Sequence, residues 1–216
     1  MKKSVKGLLL LLVLVLILVV LAACPTGDPD AVRVLKPVIY LYPQEATVCS
    51  VGIELDGELT CTYPQYGGRG WENFVAFPDG TLNFPDGGEY YCLYWEGDQK
   101  ITPDFSKGFC VKGSDTAHFL NETLLAQGLT PREANEFIIY WLPLMQNNAY
   151  NLISFQTKAY TEGAKLTVKP SPDTLIRVFM AWQALDEAVE VEPQEFTLPQ
   201  RTGFVAVEWG GAEIIN

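Results

Sequence analysis

The stretch TPREANEFIIYWLPLM, Thr130–Met145, decides the fold class. Thr130 stands where a helix cap belongs, Pro131 at the first helical position and Glu133 at the third. That is a complete capping box. The Thr hydroxyl and the Glu carboxylate each satisfy a backbone N–H that the first turn leaves without a partner. Ala134, Phe137, Ile138, Trp141 and Met145 then recur on one helical face, and Pro143 is expected to kink or end the helix. Just upstream, Ala117, Leu120 and Leu124 fall at helical spacing over 115–127, and Gly128 is the stop signal. The two segments read as a helical hairpin.

On both sides of the hairpin the period is two. Val38–Tyr42 is a short apolar strand closed by Pro43, and Val48–Leu55 alternates with Cys49, Val51, Ile53 and Leu55 on one face. Asp56-Gly57 is a hairpin signal, with Leu59, Cys61 and Tyr63 continuing an apolar face on the return strand. Phe-Pro-Asp-Gly occurs at 77–80 and again at 84–87 as turn chemistry. Tyr90–Trp95 is a dense aromatic strand. After the hairpin, Ile153 and Phe155 alternate with polar residues, as do Leu166 and Val168. Leu175–Trp182 is apolar on both sides except Arg177 and reads as a central strand, and Phe204–Trp209 is the last strand. Strands, two helices and strands again make an α+β fold. Its frame is a mainly antiparallel β-sandwich with the helical hairpin inserted in it or packed on one sheet. The expected globular domain is 37–216, with β over 37–113, helix over 114–148 and β over 149–216.

The first residues carry an address. Lys2, Lys3 and Lys6 precede an unbroken apolar run from Gly7 to Ala23. Leu21-Ala22-Ala23-Cys24 looks like a bacterial lipobox, so 1–23 is expected to be a lipoprotein signal peptide and Cys24 the lipidated residue. Residues 24–36, with two prolines in Pro25–Asp30, read as a tether. The expected location is the extracytoplasmic face of the bacterial cell membrane, held by a diacylglyceryl anchor on Cys24. Three of the 15 basic residues and none of the 26 acidic ones precede Cys24, so the charge from there on is −14, 12 against 26. That balance excludes a nucleic-acid binder, which needs clustered Lys and Arg.

Four further cysteines, Cys49, Cys61, Cys92 and Cys110, sit in strand-like segments. An exported chain can oxidise them, and pairing of neighbours (49–61 and 92–110) stands beside the reading of buried apolar thiols. No CxxC is present and His118 is the one histidine, so no metal site and no cofactor are expected. HExxH, the P-loop, G-x-G-x-x-G and G-x-S-x-G are missing, and no catalytic residue is assigned. The acids at 186, 187, 190, 192 and 195 lack the alternation of a dedicated calcium loop and read as a solvated run.

The aromatics are the other chemical resource. Trp71, Tyr66, Tyr90, Tyr91, Tyr94 and Trp95 cluster in a region rich in Gly and Asp, where rings with polar neighbours can stack sugars or hold a peptide. Alternation along 90–95 groups Tyr91, Leu93 and Trp95 on a core face and sends Tyr94 and Glu96 the other way. Trp71, Tyr66, Tyr94 and Glu96 are therefore the candidate ligand-binding residues.

KPVIYLYP at 36–43, Gly70-Trp71, Pro78-Asp79-Gly80, Tyr94-Trp95-Glu96-Gly97 and Asn135–Pro143 resemble an uncharacterised family of bacterial surface lipoproteins. The resemblance implies a cell-envelope location and no particular activity or ligand. The expected function is a lipid-anchored envelope protein with a non-catalytic binding or scaffolding domain for a cell-wall glycan, a peptide or a surface protein. An envelope hydrolase using paired carboxylates, with Glu96, Asp98 and Asp104 as candidate acids, is the alternative.

Overall fold

A computed structural model describes residues 32–99, 102–156 and 158–215. The expected signal peptide, Cys24 and tether residues 24–31 lie outside the described residues. In chain order the strands are β1 (Val32–Tyr42), β2 (Thr47–Leu55), β3 (Gly57–Tyr63), β4 (Trp71–Ala76), β5 (Leu82–Asn83), β6 (Glu89–Tyr90), β7 (Leu93–Gln99) and β8 (Phe109–Lys112). Helices α1 (Thr116–Ala126) and α2 (Pro131–Met145) follow, then β9 (Tyr150–Phe155) and the short α3 (Lys158–Gly163). The chain closes with β10 (Ala164–Lys169), β11 (Thr174–Leu185) and β12 (Val205–Glu213).

The strands form two sheets. One has the order β3-β7-β1-β12-β11-β9-β8 and the other β10-β2-β4-β5-β6. Every pairing within them is antiparallel except β11 with β12. One core lies between the sheets and holds Ile39, Cys49, Trp71, Phe74, Trp95 and Phe179. A second lies between the seven-stranded sheet and the helices and holds Val38, Leu120, Phe137, Trp141, Val178 and Trp209. The α+β sandwich with a helical hairpin packed on one sheet is therefore the observed architecture. The seven-stranded sheet is covered on both faces, which is why β1, β11 and β12 read as near-continuous apolar runs. All five tryptophans are at most 1% exposed. Each buried large side chain contributes about 1.5–3 kcal/mol relative to exposure.

The helices match the sequence closely. The Thr130 hydroxyl accepts from Glu133 N, and the Glu133 carboxylate accepts from Thr130 N at 2.7 Å. Gly128, at φ +92°, takes the left-handed position after α1. Pro143 does not stop α2, which runs on to Met145. A proline so near the end removes few intrahelical bonds. Strand β1 starts at Val32, so 32–36, expected in the tether, belong to the sheet.

Other expectations are corrected by the way the chain moves between sheets. Asp56-Gly57 is not a hairpin: β2 lies in the five-stranded sheet and β3 in the seven-stranded one. Asp56 N instead donates to Gly163 O at 2.7 Å. A Cβ on Gly57, at φ +153°, would lie 1.9 Å from Asp98 O, so the crossing needs glycine. A register shift between Leu59 and Cys61 breaks the alternation of β3 and leaves Cys61 and Tyr63 exposed instead of on a shared apolar face. The Tyr90–Trp95 segment is likewise not one strand. It leaves the five-stranded sheet after Tyr90 and enters the seven-stranded one at Leu93.

The cysteines do not pair as neighbours; Cys49, Cys61, Cys92 and Cys110 are free thiols. Cys49 and Cys61 belong to different sheets, and facing sheets stand about 10 Å apart. Cys92 adjoins β7 and Cys110 lies in β8, five strand spacings of about 4.8 Å apart. A disulfide needs Cα atoms within about 7 Å.

Candidate functional site

A groove opens where the chain passes from β6 to β7, beside the edge strand β3 and the middle of β1. It encloses about 480 Å³ and is lined by Lys36, Val38, Tyr63, Glu89, Tyr90, Tyr91, Cys92 and Tyr94. Four of these eight residues are tyrosines. Tyr63 is 62% exposed and Tyr91 54%, the most open large aromatics among the described residues. Their positions follow from the irregularities of the fold. Tyr63 ends the bulged edge strand, and Tyr91 lies between two sheets and belongs to neither ladder. Neither ring is claimed by a core.

The rings support one another. Tyr63 and Tyr90 meet edge to face at 5.3 Å, and Tyr91 tilts against Tyr40 at 6.4 Å. The Tyr40 hydroxyl donates to Glu136 Oε2 on α2 at 2.6 Å, which fixes the ring that Tyr91 leans on. Burial, followed by the bond to Glu96, raises the Tyr94 phenol above its ordinary range. The neighbouring Cys92, then burial and Glu136, raise Tyr91. Burial raises the Cys92 thiol to about 11, with Glu136 adding to the shift. At neutral pH these groups are uncharged, so the groove presents ring faces and neutral hydroxyls.

Lys36 is the cation of the groove. Its Nζ lies 5.4 Å from the centroid of Tyr94 and 5.5 Å from that of Tyr140 on α2. It reaches this place through a bulge in a central strand. Between Leu35 and Val38, β1 carries one residue more than β12, and between Val34 and Val38 one more than β7. The extra residue changes the phase of β1. Val34 faces the sheet-to-sheet core, whereas Val38 faces the helices. Lys36 itself has φ +59°, a left-handed conformation that a lysine seldom adopts. Pro37, which has no N–H to give, is tolerated in a central strand because of the bulge.

The sequence-derived candidates divide. Tyr94 lines the groove, and Glu96, two residues along β7, bonds its hydroxyl without lining the groove. Trp71 is core: it is 1% exposed and its Nε1 donates to Pro64 O at 2.8 Å. Tyr66 packs edge-on against Trp71 at 4.8 Å, and its hydroxyl accepts from Ile53 N at 2.8 Å. It borders a separate polar hollow with Arg69, Glu72 and Lys169. Tyr66 and Trp71 thus brace one another, apart from Tyr94 and Glu96. Lys36, Tyr63 and Cys92 were not singled out by sequence. A usable signal was the Lys-Pro pair inside an apolar run, which marks a bulge.

Of the candidate acids, Glu96 and Asp98 share β7 two residues apart, whereas Asp104 stands away from both. Asp104 N donates to the Gln156 side chain beside β9, four strands from Glu96 on β7, or about 19 Å. Paired glycosidic carboxylates stand about 5–10 Å apart. The backbone N–H of Ser106 also holds the Asp104 carboxyl below its usual range, which suits a loop brace and not a proton donor. Glu208 is the acid with the most unusual setting: 0% exposed between the sheets, it accepts from Arg177 Nε at 2.6 Å and from Trp95 Nε1 at 3.1 Å. Arg177 also lies 4.8 Å from the Tyr160 ring, and Tyr160 is 1% exposed. The described residues contain no group of three or more His, Cys, Asp or Glu arranged to hold a metal.

No family model matches the chain, and no solved structure matches it. A protein of Butyrivibrio fibrisolvens, described as an uncharacterized protein in the bglA 3' region, is 36% identical over 98 residues. The match covers 45% of this chain and 98% of that relative. This chain therefore belongs to the same family as the Butyrivibrio protein.

Proposed function

We propose that this chain is a lipid-anchored cell-envelope protein whose folded part binds a glycan strand in the tyrosine groove without cleaving it. The observation that carries the reading is the pair of open rings, Tyr63 and Tyr91, set on a groove walled by Tyr90 and Tyr94. Sugar rings have apolar C–H faces that stack on aromatic rings, and hydroxyls that bond to phenols. The two ring-bearing positions stand outside both cores, so their faces are free to stack on a ligand. The lipobox at Cys24 supports the envelope location.

The full chain in detergent, applied to a glycan array printed with neutral and acidic oligosaccharides, tests the reading. Binding is expected, and Tyr63→Ala or Tyr91→Ala should each weaken it at least about tenfold, as for an interface anchor. Both variants should melt with the native chain. Binding unchanged in both variants, or release of reducing ends from the bound glycan, refutes the proposal. In cells, Cys24→Ala should shed the protein or leave it unprocessed, and continued lipid labelling of that variant refutes the anchor.

A further inference from the structure

Lys36 is an ammonium held half-buried in the groove, with no carboxylate partner among the described residues. Each other lysine or arginine that touches the cores or the helices from a half-buried position has an acid: Arg177 has Glu208, and Arg201 has Glu133. Among the described residues Lys36 pairs with no carboxylate and lies against the faces of Tyr94 and Tyr140, near Cys92. Those faces orient a cation and leave its outer N–H donors unbonded. The backbone that delivers it is costly, with a left-handed lysine and a bulge that interrupts the ladders to both neighbouring strands. Without the bulge, Lys36 would share the direction of Val34 and point its charge between the sheets. Residues kept in such conformations concentrate at ligand clamps, and bulges re-aim side chains at sites.

Resting on the glycan reading of the groove, we propose that its ligand is an acidic saccharide whose ring carboxylate pairs with Lys36 while neighbouring rings stack on Tyr91 and Tyr63. Charge complementarity selects the class, because one unpaired ammonium beside neutral phenols matches a single carboxylate of the bound ligand. A carboxylate fits better than a phosphate, because phosphate sites draw on several N–H donors from an arginine fork or a turn of backbone. The groove supplies one lysine. Glu89 also lines the groove and disfavours an acid group placed beside it, so the paired carboxylate of the ligand should be the one at Lys36.

The test titrates the full chain in detergent with an oligogalacturonate, and with the same oligomer methyl-esterified at every carboxylate. The acid form is expected to bind about five- to tenfold tighter at low salt, the yield of one partly desolvated charge pair. The preference should shrink as salt is raised to about 0.5 M. Lys36→Gln should lower the acid to the affinity of the ester, whereas Lys36→Arg, which keeps the charge, should retain the preference. Equal affinity of the native chain for acid and ester overturns the carboxylate inference and leaves the glycan reading standing. Binding of neither oligomer overturns the carboxylate inference, while the glycan array decides the glycan reading; undiminished binding in Tyr91→Ala overturns both. If Lys36→Gln does not fold, the acid-to-ester ratio of the native chain still decides.

Discussion

Glu208 and Arg177 form an ion pair sealed between two sheets, with side chains 0% and 9% exposed. Two changes probe it, Arg177→Met and Glu208→Leu, alone and together. Arg177→Met leaves the Glu208 carboxylate in the core with no cation, facing the Trp95 indole N–H, 3.1 Å away, and the nearby Tyr160 hydroxyl. Glu208→Leu leaves a guanidinium against the Tyr160 face and also strands that indole donor. A buried charge deprived of its partner costs about 3–5 kcal/mol. The orphaned N–H of Trp95 adds about 1–3 kcal/mol to the second variant. Either single change therefore removes a large share of the 5–15 kcal/mol typical of a domain. The double variant buries no charge. Its cost should fall to about that of the indole, so the two changes should couple by about 3 kcal/mol or more in the favourable direction. Urea unfolding of the four proteins, followed by tryptophan fluorescence, gives the cycle. If both single variants lose less than about 1 kcal/mol, or if their costs simply add, the pair is not the sealed unit described here.

Two further outcomes follow from the geometry. Thr130→Ala removes the cap of α2 but leaves Glu133 tied to Arg201, so it should cost about 1 kcal/mol by thermal melting, and an unchanged melting temperature would show that α2 starts elsewhere. Under native conditions at pH 8, iodoacetamide should label exposed Cys61 first and leave Cys49 and Cys92 for last, read by peptide mass; early loss of Cys49 would contradict its burial. Cys92 carries a pH dependence of defined sign. Its folded pKa of about 11 lies above the ordinary 9.0, so the stabilisation from keeping the thiol neutral is complete below pH 9 and fades as pH rises toward 11.

Local rules were legible wherever the chain obeys a single period. The capping box at Thr130 and the face of Phe137 and Trp141 are local facts, the first borne out by its two hydrogen bonds and the second by burial. Trp95 was placed in the core from its alternation with Leu93, and both are 0% exposed. Its expected companion Tyr91 is open, because the alternation that links 91 to 93 ends where the chain changes sheets. Asp56-Gly57 shows the same limit. The pair supplies a tight turn, but turn chemistry does not state whether the next strand returns beside β2 or crosses to the facing sheet. That choice lies in tertiary packing, here in Asp56 N meeting Gly163 O more than a hundred residues away. The groove was out of reach for the same reason, since its residues come from 36–38, 63 and 89–94.

The groove and these departures from regularity have one cause. A side chain in a regular strand of a doubly covered sheet is taken by one core or the other, as Ile39 and Tyr40 are on successive positions of β1. A surface that keeps several rings and a cation available must draw on positions where alternation fails. Lys36 sits on the bulge of β1, Tyr63 follows the bulge of β3, and Tyr91 and Cys92 occupy the crossing between sheets. Three separate interruptions of the ladders thus open on one groove. Each interrupts the ladder bonds of its strand, and Tyr91 is left 54% exposed. Residues at such sites are where local consistency yields to function. Trp71 stays apart from the site although β4 bulges beside it at left-handed Asn73: its indole is satisfied by Pro64 and its ring is held by Tyr66 in the core.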